Sequence, residues 1–328
     1  MQKFKALVTE EVDGKYISTV KQKNIDELPE GDVLINVKYS SLNFKDALSS
    51  IGNKGVTRNF PHTPGIDAAG VVAESSDASF SVGEEVIVTG YDLGMNTSGG
   101  YEEYIRVPAG WVVKKPEGLT LRETMIYGTA GFTSALSVIK LLDHGITPES
   151  GKILVTGSTG GVGSVAVAML AKLGFHVVGV TGKADKAEFL KSLGAKEIIG
   201  REEATDESKR PMLKGLYAGV VDTVGGNILA SALKTTAYGG AVTTCGLTQS
   251  PDLNTTVFPF ILRGVSLLGI DSVELPIDVK KSTWERISSD LKLSNLEELA
   301  VDITFDELPE YLSKILKGET SGRIVVTI

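Results

Sequence analysis

Sulfur and imidazole are scarce in this chain. One cysteine, Cys245, and three histidines, His62, His144 and His176, are spread over 328 residues. A lone cysteine forbids an intramolecular disulfide, and with so few histidines it removes the multi-cysteine zinc sites and leaves a catalytic zinc short of its customary ligands. No metal is expected. No window of about 18 uninterrupted apolar residues occurs, and acid follows the first apolar residues too soon for a secretory signal, so a cytoplasmic protein with no membrane partner is expected. Positive charge is in deficit: 33 Lys and Arg against 41 Asp and Glu give a net charge of −8. A nucleic-acid binder is more often basic, so no nucleic-acid partner is expected.

Nucleophile motifs are missing too. There is no Gly-x-Ser-x-Gly elbow at a strand-to-helix turn, which leaves a hydrolase without a visible nucleophile. None of the nine tyrosines has lysine four residues later, which excludes the Tyr-x-x-x-Lys arrangement of short-chain reductases. The Gly-Lys pairs at 14, 151 and 182 are not followed by Ser or Thr, against a triphosphate-binding loop. Cys245 ends an apolar strand and reads as buried. His144 and His176 read as packed or surface residues, and His62, between Pro61 and Pro64, is a candidate to border a site.

What is present is glycine, 37 residues, and a change of texture along the chain. Residues 1 to about 115 alternate short strand-like runs, such as 32–39 and 85–89, with turn residues, the pattern of a β-rich unit. A long apolar helix is expected from about Arg122 to Leu142. From 151 the pattern becomes strand then helix, repeatedly: strands at 152–156, 175–180, 196–199, 219–224, 241–245 and 265–270, helices at 162–173, 184–193 and 227–236. Six strands with crossovers predict an α/β fold, a Rossmann-type doubly wound parallel sheet. After 271 helical segments are expected, with Leu308, Tyr311, Leu312, Ile315 and Leu316 striping one helix face as core. The final strand, 322–328, has no sheet near it in sequence and is expected to return to the first domain. The domains expected are 1–120, 121–270, and a return segment 271–328 completing the first.

Between the first strand and helix of the α/β part lies Thr156-Gly157-Ser158-Thr159-Gly160-Gly161-Val162-Gly163. Glycines at 157, 160 and 163 let backbone approach a pyrophosphate, and the helix that follows offers unpaired N–H groups and the positive end of its dipole. Strand, loop, helix and second strand in this order make it a dinucleotide seat. NAD sites place an acid at the end of the second strand for the ribose 2′-hydroxyl, whereas this chain has Thr181-Gly182-Lys183 there. A hydroxyl and an ammonium would hold a 2′-phosphate that an acid would repel, so NADPH is the expected coenzyme.

The residues now resemble the medium-chain dehydrogenase/reductase superfamily, in its zinc-free quinone and enoyl reductase branch. The motifs are Pro64-Gly65-Ile66-Asp67-Ala68-Ala69-Gly70, 128–133, the glycine loop, and Lys317-Gly318-Glu319-Thr320-Ser321-Gly322-Arg323. More narrowly the chain is similar to the bacterial acrylyl-CoA reductase group, through 40–47, 59–61, Asp222-Thr223-Val224-Gly225, 245–247, 259–263 and 269–273. Zinc-dependent relatives carry Gly-His-Glu where this sequence has Gly65-Ile66-Asp67. The resemblance implies a GroES-like β-rich domain made from both chain ends beside the Rossmann domain, with the active site in the cleft between them. It also implies coenzyme contacts at Phe44, Ser158, Thr159, Gly160, Gly161, Val162, Thr181, Gly182, Lys183, Arg201, Leu247, Ile261 and Ser272, and places Thr129 by the nicotinamide carboxamide. Phe44 departs from the tyrosine more usual in the group. Simple packing is the competing reading of Leu247 and Ile261.

Hydride addition to an α,β-unsaturated carbonyl places negative charge on the carbonyl oxygen, which needs hydrogen-bond donors. Asn43 and Lys45 are the candidate donors, with backbone N–H groups as rivals. The expected function is NADPH-dependent, zinc-independent reduction of acrylyl-CoA or a related short enoyl compound. Lys54 and Arg58 are placed to attract coenzyme A phosphates. The alternatives are an NADPH:quinone oxidoreductase, also able to take reactive enals, and an NADPH-binding sensor or structural protein with little turnover. A homodimer or higher homo-oligomer is expected from the resemblance.

Overall fold

In the computed structural model, which describes residues 2–328, the chain divides into two compact units. One comprises the residues through Thr129 with Val273–Ser289 and Leu299–Ile328; the other comprises Ala130–Ser272 with Asp290–Glu298.

The first unit begins with a hairpin of β1 (Lys3–Val12) and β2 (Lys15–Asn24). It continues through β3 (Val33–Ser41), the short helix α1 (Phe44–Ser50), β4 (Asp67–Ser75), β5 (Glu85–Thr89), β6 (Tyr104–Val107) and β7 (Val112–Lys114). Alternation along these strands puts Val33, Ile35 and Val37 of β3 into one core with Ala68 and Val72 of β4 and Val86 and Val88 of β5.

Next comes α2 (Leu121–Asp143), whose backbone is non-helical at Gly128, with φ 50° and ψ −160°. The uninterrupted helix expected from 122 to 142 is thus corrected. A Cβ at 128 would lie 2.5 Å from Ser41 Oγ, 2.7 Å from Asp67 Oδ2 and 2.8 Å from Arg323 Nη2, so only glycine passes this point, and helix periodicity carries no trace of it. By length and composition α2 is apolar enough to cross a membrane, but 83% of its apolar window is buried in the fold, which makes it a core helix.

The second unit alternates β8 (Lys152–Val155), α3 (Gly161–Lys172), β9 (His176–Val180), α4 (Ala187–Ser192), β10 (Glu197–Ile199), α5 (Arg201–Ala204), β11 (Tyr217–Asp222), α6 (Gly226–Thr235), β12 (Thr236–Thr244), α7 (Phe258–Arg263) and β13 (Ser266–Gly269). Its sheet runs β10-β9-β8-β11-β12-β13 with every pairing parallel, so the expected doubly wound sheet is present. Near-continuous apolar runs suit strands covered on both faces, and Leu154, Val178, Val220 and Val242 supply the shared core. The strand order reverses between β8 and β11, the place where open α/β sheets take their ligands.

Three expectations need adjustment here. Helix 184–193 is a 3₁₀ turn followed by the short α4. The strand expected to reach Val224 stops at Asp222, and β12 begins at Thr236, five positions earlier than 241, pairing with β11 from its first residue.

The chain closes with α8 (Ile277–Ser288), β14 (Ala300–Thr304), α9 (Leu308–Leu316) and β15 (Arg323–Thr327). β14 lies in a region read as helical; it is a strand through its parallel pairing with β15 across the intervening α9, so pairing and not local pattern decides it. β15 pairs parallel with β14 and antiparallel with β3, so the terminal strand does return to the first unit. The stripe on α9 is core as expected: Leu308 and Leu312 are buried, with Tyr311, Ile315 and Leu316 packed against the same cluster.

Candidate active site

In the second unit β8 delivers the glycine loop to the start of α3, with Gly160 as the residue preceding the first turn. A helix leaves its first N–H groups without intrahelical acceptors, so the backbone of Gly161, Val162 and Gly163 offers donors where the helix dipole is positive. Side chains around them are turned to bracing the loop. Ser158 is fully buried and donates its hydroxyl to Val180 O at 2.9 Å, while its N–H reaches the same carbonyl at 3.1 Å. Thr159 Oγ1 meets Thr181 Oγ1 at 3.3 Å, which ties the loop to the end of β9.

That strand end gathers positive charge. Thr181 Oγ1 accepts the Lys183 N–H at 3.0 Å, and Arg201 at the start of α5 lays its guanidinium against Gly182. A Cβ on Gly182 would stand 2.7 Å from Arg201 Nε and 2.8 Å from Cζ. Partial burial holds the Lys183 ammonium below the usual lysine range; repulsion from Lys186 and Arg201 adds to this, opposed by Asp185. Crowding of this kind at Lys183 is relieved by an anion, and a hydroxyl, an ammonium and a guanidinium together are groups that suit a phosphate monoester.

Leu247 and Ile261 are 64% and 69% exposed, more than packing within the chain accounts for. Leu247 follows β12 and passes close to Gly225, 3.3 Å from where that glycine would carry a Cβ. Ile261 lies on α7, and Ser272 is partly buried just beyond β13.

In the first unit the candidate residues converge on a carboxylate that the sequence reading gave no role. Asp67, fully buried at the start of β4, accepts four donors. Ser41 Oγ (2.5 Å), Asn43 Nδ2 (2.8 Å) and the Thr129 N–H (2.9 Å) reach Oδ2, and Thr129 Oγ1 reaches Oδ1 at 2.5 Å. Arg323 of β15 is buried beside it, donating Nε to Ile126 O at 2.8 Å and Nη1 toward Asn43 Oδ1 at 3.5 Å. Asn43 is 8% exposed, so its amide serves this internal network from both ends. Thr129 is joined to Asn43 through the same carboxylate. Asp67 and Arg323 lie at opposite ends of the chain, and the one sequence signal was Asp67 standing in the Gly65-Ile66-Asp67 segment.

A second buried acid lies behind them. Asp46 accepts the Asn43 N–H (2.8 Å), the Ile66 N–H (2.8 Å) and the Tyr101 hydroxyl (2.9 Å). Burial foremost, then the nearby Asp67, pushes its carboxyl up to about 7 against the pull of these donors. The N-cap N–H of α1 is thereby satisfied, which fixes where Phe44 and Lys45 leave the core. Phe44 is 38% exposed. Lys45 Nζ meets Met95 Sδ at 3.8 Å, and among the described residues no carboxylate holds it. Lys54 is stacked over Phe60 and Tyr16, 4.8 and 5.5 Å from the ring centroids, and donates to Arg58 O.

His62 is buried, with Nε2 on Gly94 O at 2.9 Å, and burial lowers its basicity. His144 and His176 are exposed. Cys245 is half-buried and not fully enclosed as expected; its thiol points to Asp222 O at 3.3 Å, and burial pushes it up to about 12. Among the described residues no group of three His, Cys, Asp or Glu side chains gathers. These residues do not fit a zinc ion.

A parallel β8–β13 sheet with a phosphate-accepting loop at its switch point, accompanied by an antiparallel β-rich unit, defines a dehydrogenase-type nucleotide-binding protein. Residues 29–117 match the family described as alcohol dehydrogenase GroES-like domain, and residues 161–289 match zinc-binding dehydrogenase. Acrylyl-CoA reductase AcuI of Ruegeria pomeroyi is 46% identical over 327 residues, covering 99% of both chains. YhfP of Bacillus subtilis, provisionally named a quinone oxidoreductase, is 47% identical with the same coverage. The crystal structure of the yhdH oxidoreductase of Salmonella enterica in complex with NADP superposes with a TM-score of 0.96 at 46% identity, covering 99% of each chain. That of Bacillus subtilis yhfP with NAD bound gives 0.97 at 46%, with full coverage of both. The chain belongs to the medium-chain dehydrogenase/reductase superfamily.

Proposed function

We propose that this protein is an NADPH-dependent reductase of the carbon–carbon double bond in acrylyl-CoA or a related short α,β-unsaturated carbonyl compound, working without zinc. The observation that carries the reading is the cation cluster at the end of β9: Lys183 and Arg201 flank Gly182 where an NAD-specific site would carry an acid. One relative named acrylyl-CoA reductase, and another, an oxidoreductase crystallised with NADP, support it.

The second unit is assigned the coenzyme. Backbone N–H groups of Gly161, Val162 and Gly163 at the start of α3 would hold the pyrophosphate, with Ser158, Thr159 and Gly160 shaping the loop that presents them. Thr181, Gly182, Lys183 and Arg201 would hold the 2′-phosphate, and Leu247, Ile261 and Ser272 would cover the bound dinucleotide. Bound NADPH supplies a hydride. In the first unit, Thr129 and Phe44 are assigned to the nicotinamide end. Thr129 donates its own proton to Asp67, which orients its oxygen as an acceptor, the role a carboxamide N–H would require. Lys45, with no internal carboxylate partner, would donate to the substrate carbonyl oxygen as negative charge develops there. One such donor contributes on the order of 3 kcal/mol in the transition state. Asn43, whose amide is engaged by Asp67 and Arg323, holds the turn from which Lys45 projects and is assigned as its support.

The protein is assigned to the cytoplasm and to a homo-oligomer. Edge strand β13 pairs only with β12 among the described residues, and Val257, Phe258 and Leu262 nearby are exposed, which offers a second copy both hydrogen bonds and apolar area.

Steady-state rates with NADPH and either acryloyl-CoA or a simple quinone test the reading. A higher kcat/KM for acryloyl-CoA is expected. Preference for the quinone would make the protein a quinone oxidoreductase, and tight NADPH binding without turnover of either would make it a sensor.

A further inference from the structure

The segment Asp222-Thr223-Val224-Gly225 has no part in the chemistry above, yet it contains the most heavily engaged acid of the second unit. Asp222 is fully buried at the end of β11. Its Oδ1 accepts from Thr156 Oγ1 at 2.7 Å and from the Val224 N–H at 3.4 Å; Oδ2 accepts from the Gly225 N–H at 2.9 Å and from Thr244 Oγ1 at 3.2 Å. β8 and β12 are the two strands that flank β11, and Thr156 and Thr244 stand at their ends. One carboxylate therefore ties together the ends of three adjacent parallel strands at the switch point.

Each tie continues into a loop assigned to the coenzyme. Thr156 gives its proton to Asp222 and accepts the Thr223 N–H at 3.0 Å, while Thr223 Oγ1 donates back to Thr156 O at 2.9 Å. Gly157, the first glycine of the loop, follows directly, and a Cβ there would meet Thr223 Oγ1 at 2.3 Å. On the other side, Cys245 N–H donates to Asp222 O at 3.0 Å and Gln249 N–H to Val224 O at 2.9 Å, which pins both ends of the turn carrying Leu247.

Burial pushes the Asp222 carboxyl up, and the four donors oppose it. Taking an acid out of water in this way is costly unless its acceptor capacity is needed, and only a carboxylate accepts on two oxygens without presenting a donor.

We propose that Asp222 is a positioning residue for the dinucleotide, setting the separation between the glycine loop and the Leu247 turn through Thr156 and Thr223. The proposal rests on the coenzyme reading given above.

Fluorescence titration of the full-length protein with NADPH and with NADH tests it, using Asp222→Asn, Thr156→Val and Thr156→Ser, with far-UV circular dichroism to establish folding. Asp222→Asn must turn an NH₂ group toward a backbone N–H, and Thr156→Val removes one arm. Each should weaken both coenzymes by about tenfold. The NADPH/NADH ratio should stay unchanged, affinity should fall more than kcat at saturating coenzyme, the double variant should be no worse than either single one, and Thr156→Ser should retain wild-type affinity. If the acid served only the fold, removing its negative charge from beside an anion seat would leave affinity unchanged or tighter in folded Asp222→Asn, which overturns the proposal. Should Asp222→Asn fail to fold, wild-type affinity in Thr156→Val overturns it equally. A wild-type protein that binds neither coenzyme would sink the functional reading itself, whereas binding that is indifferent to these variants sinks only the positioning role.

Discussion

Replacing Gly182 by alanine should convert an NADPH-selective protein toward indifference between coenzymes without harming the fold. The new Cβ would lie 2.7 Å from Arg201 Nε, 2.8 Å from Cζ and 3.1 Å from Cδ. Carbon contacts settle near 3.5 to 4 Å, so the guanidinium must withdraw by roughly 1 Å. Arg201 is exposed at the start of a helix and its side chain is flexible, so the movement costs the fold little. A guanidinium–phosphate pair is geometrically demanding, however, and a hydrogen bond to a charged group is worth about 1.5–3 kcal/mol. NADPH should therefore bind about 10- to 100-fold more weakly, since each 1.4 kcal/mol is tenfold, while NADH, lacking the 2′-phosphate, should change by less than about twofold. Lys183→Ala should show the same selectivity. The assay is fluorescence titration of both reduced coenzymes at one low, fixed ionic strength, because salt weakens a partly exposed pair. Equal loss for NADPH and NADH, or no loss for either, would refute the assignment of the 2′-phosphate to this cluster.

Other outcomes follow from the first unit. Lys45→Ala should lower kcat for acryloyl-CoA by about 10²-fold while the NADPH dissociation constant changes little; unchanged turnover in stopped-flow or steady-state assays would remove the lysine from the chemistry. Asn43→Ala should lower stability and turnover together, because the Asn43 side-chain amide donates to the buried Asp67 carboxylate and accepts from Arg323; a urea midpoint equal to wild type would contradict that. Asp46 has a folded-state pKa of about 7 against an ordinary 3.8, so it keeps its proton in the folded chain at pH values where the unfolded chain has lost it. Its contribution is fully present below about pH 4 and is lost, at about 1.4 kcal/mol per pH unit, as pH rises toward 7. The stability difference between wild type and Asp46→Asn, from urea unfolding, should shift toward the variant across that window; a constant difference would contradict the buried-acid account.

The coenzyme half of this protein was legible because its signals are local. A glycine loop, the strand before it and the helix after it lie within about twenty consecutive residues, and the apolar runs at 152–156, 175–180 and 219–224 mark three of the strands, the last of them displaced by two residues from Tyr217–Asp222. What escaped depends on partners that sequence order does not supply. β14 is a strand because β15 pairs with it, and α2 breaks because Gly128 passes between Ser41, Asp67 and Arg323. The same holds for roles within the site. Asn43 and Lys45 share one motif, and its expected place at the active site together with their polarity nominated both as donors to substrate. The fold separates them by where their hydrogen bonds go. The Asn43 amide is consumed by a carboxylate from β4 and a guanidinium from β15, whereas the Lys45 ammonium, among the described residues, meets only a thioether. A donor already committed inside the protein cannot also neutralise charge developing on a substrate, so the direction of one amide moves the expected chemistry two residues along the chain.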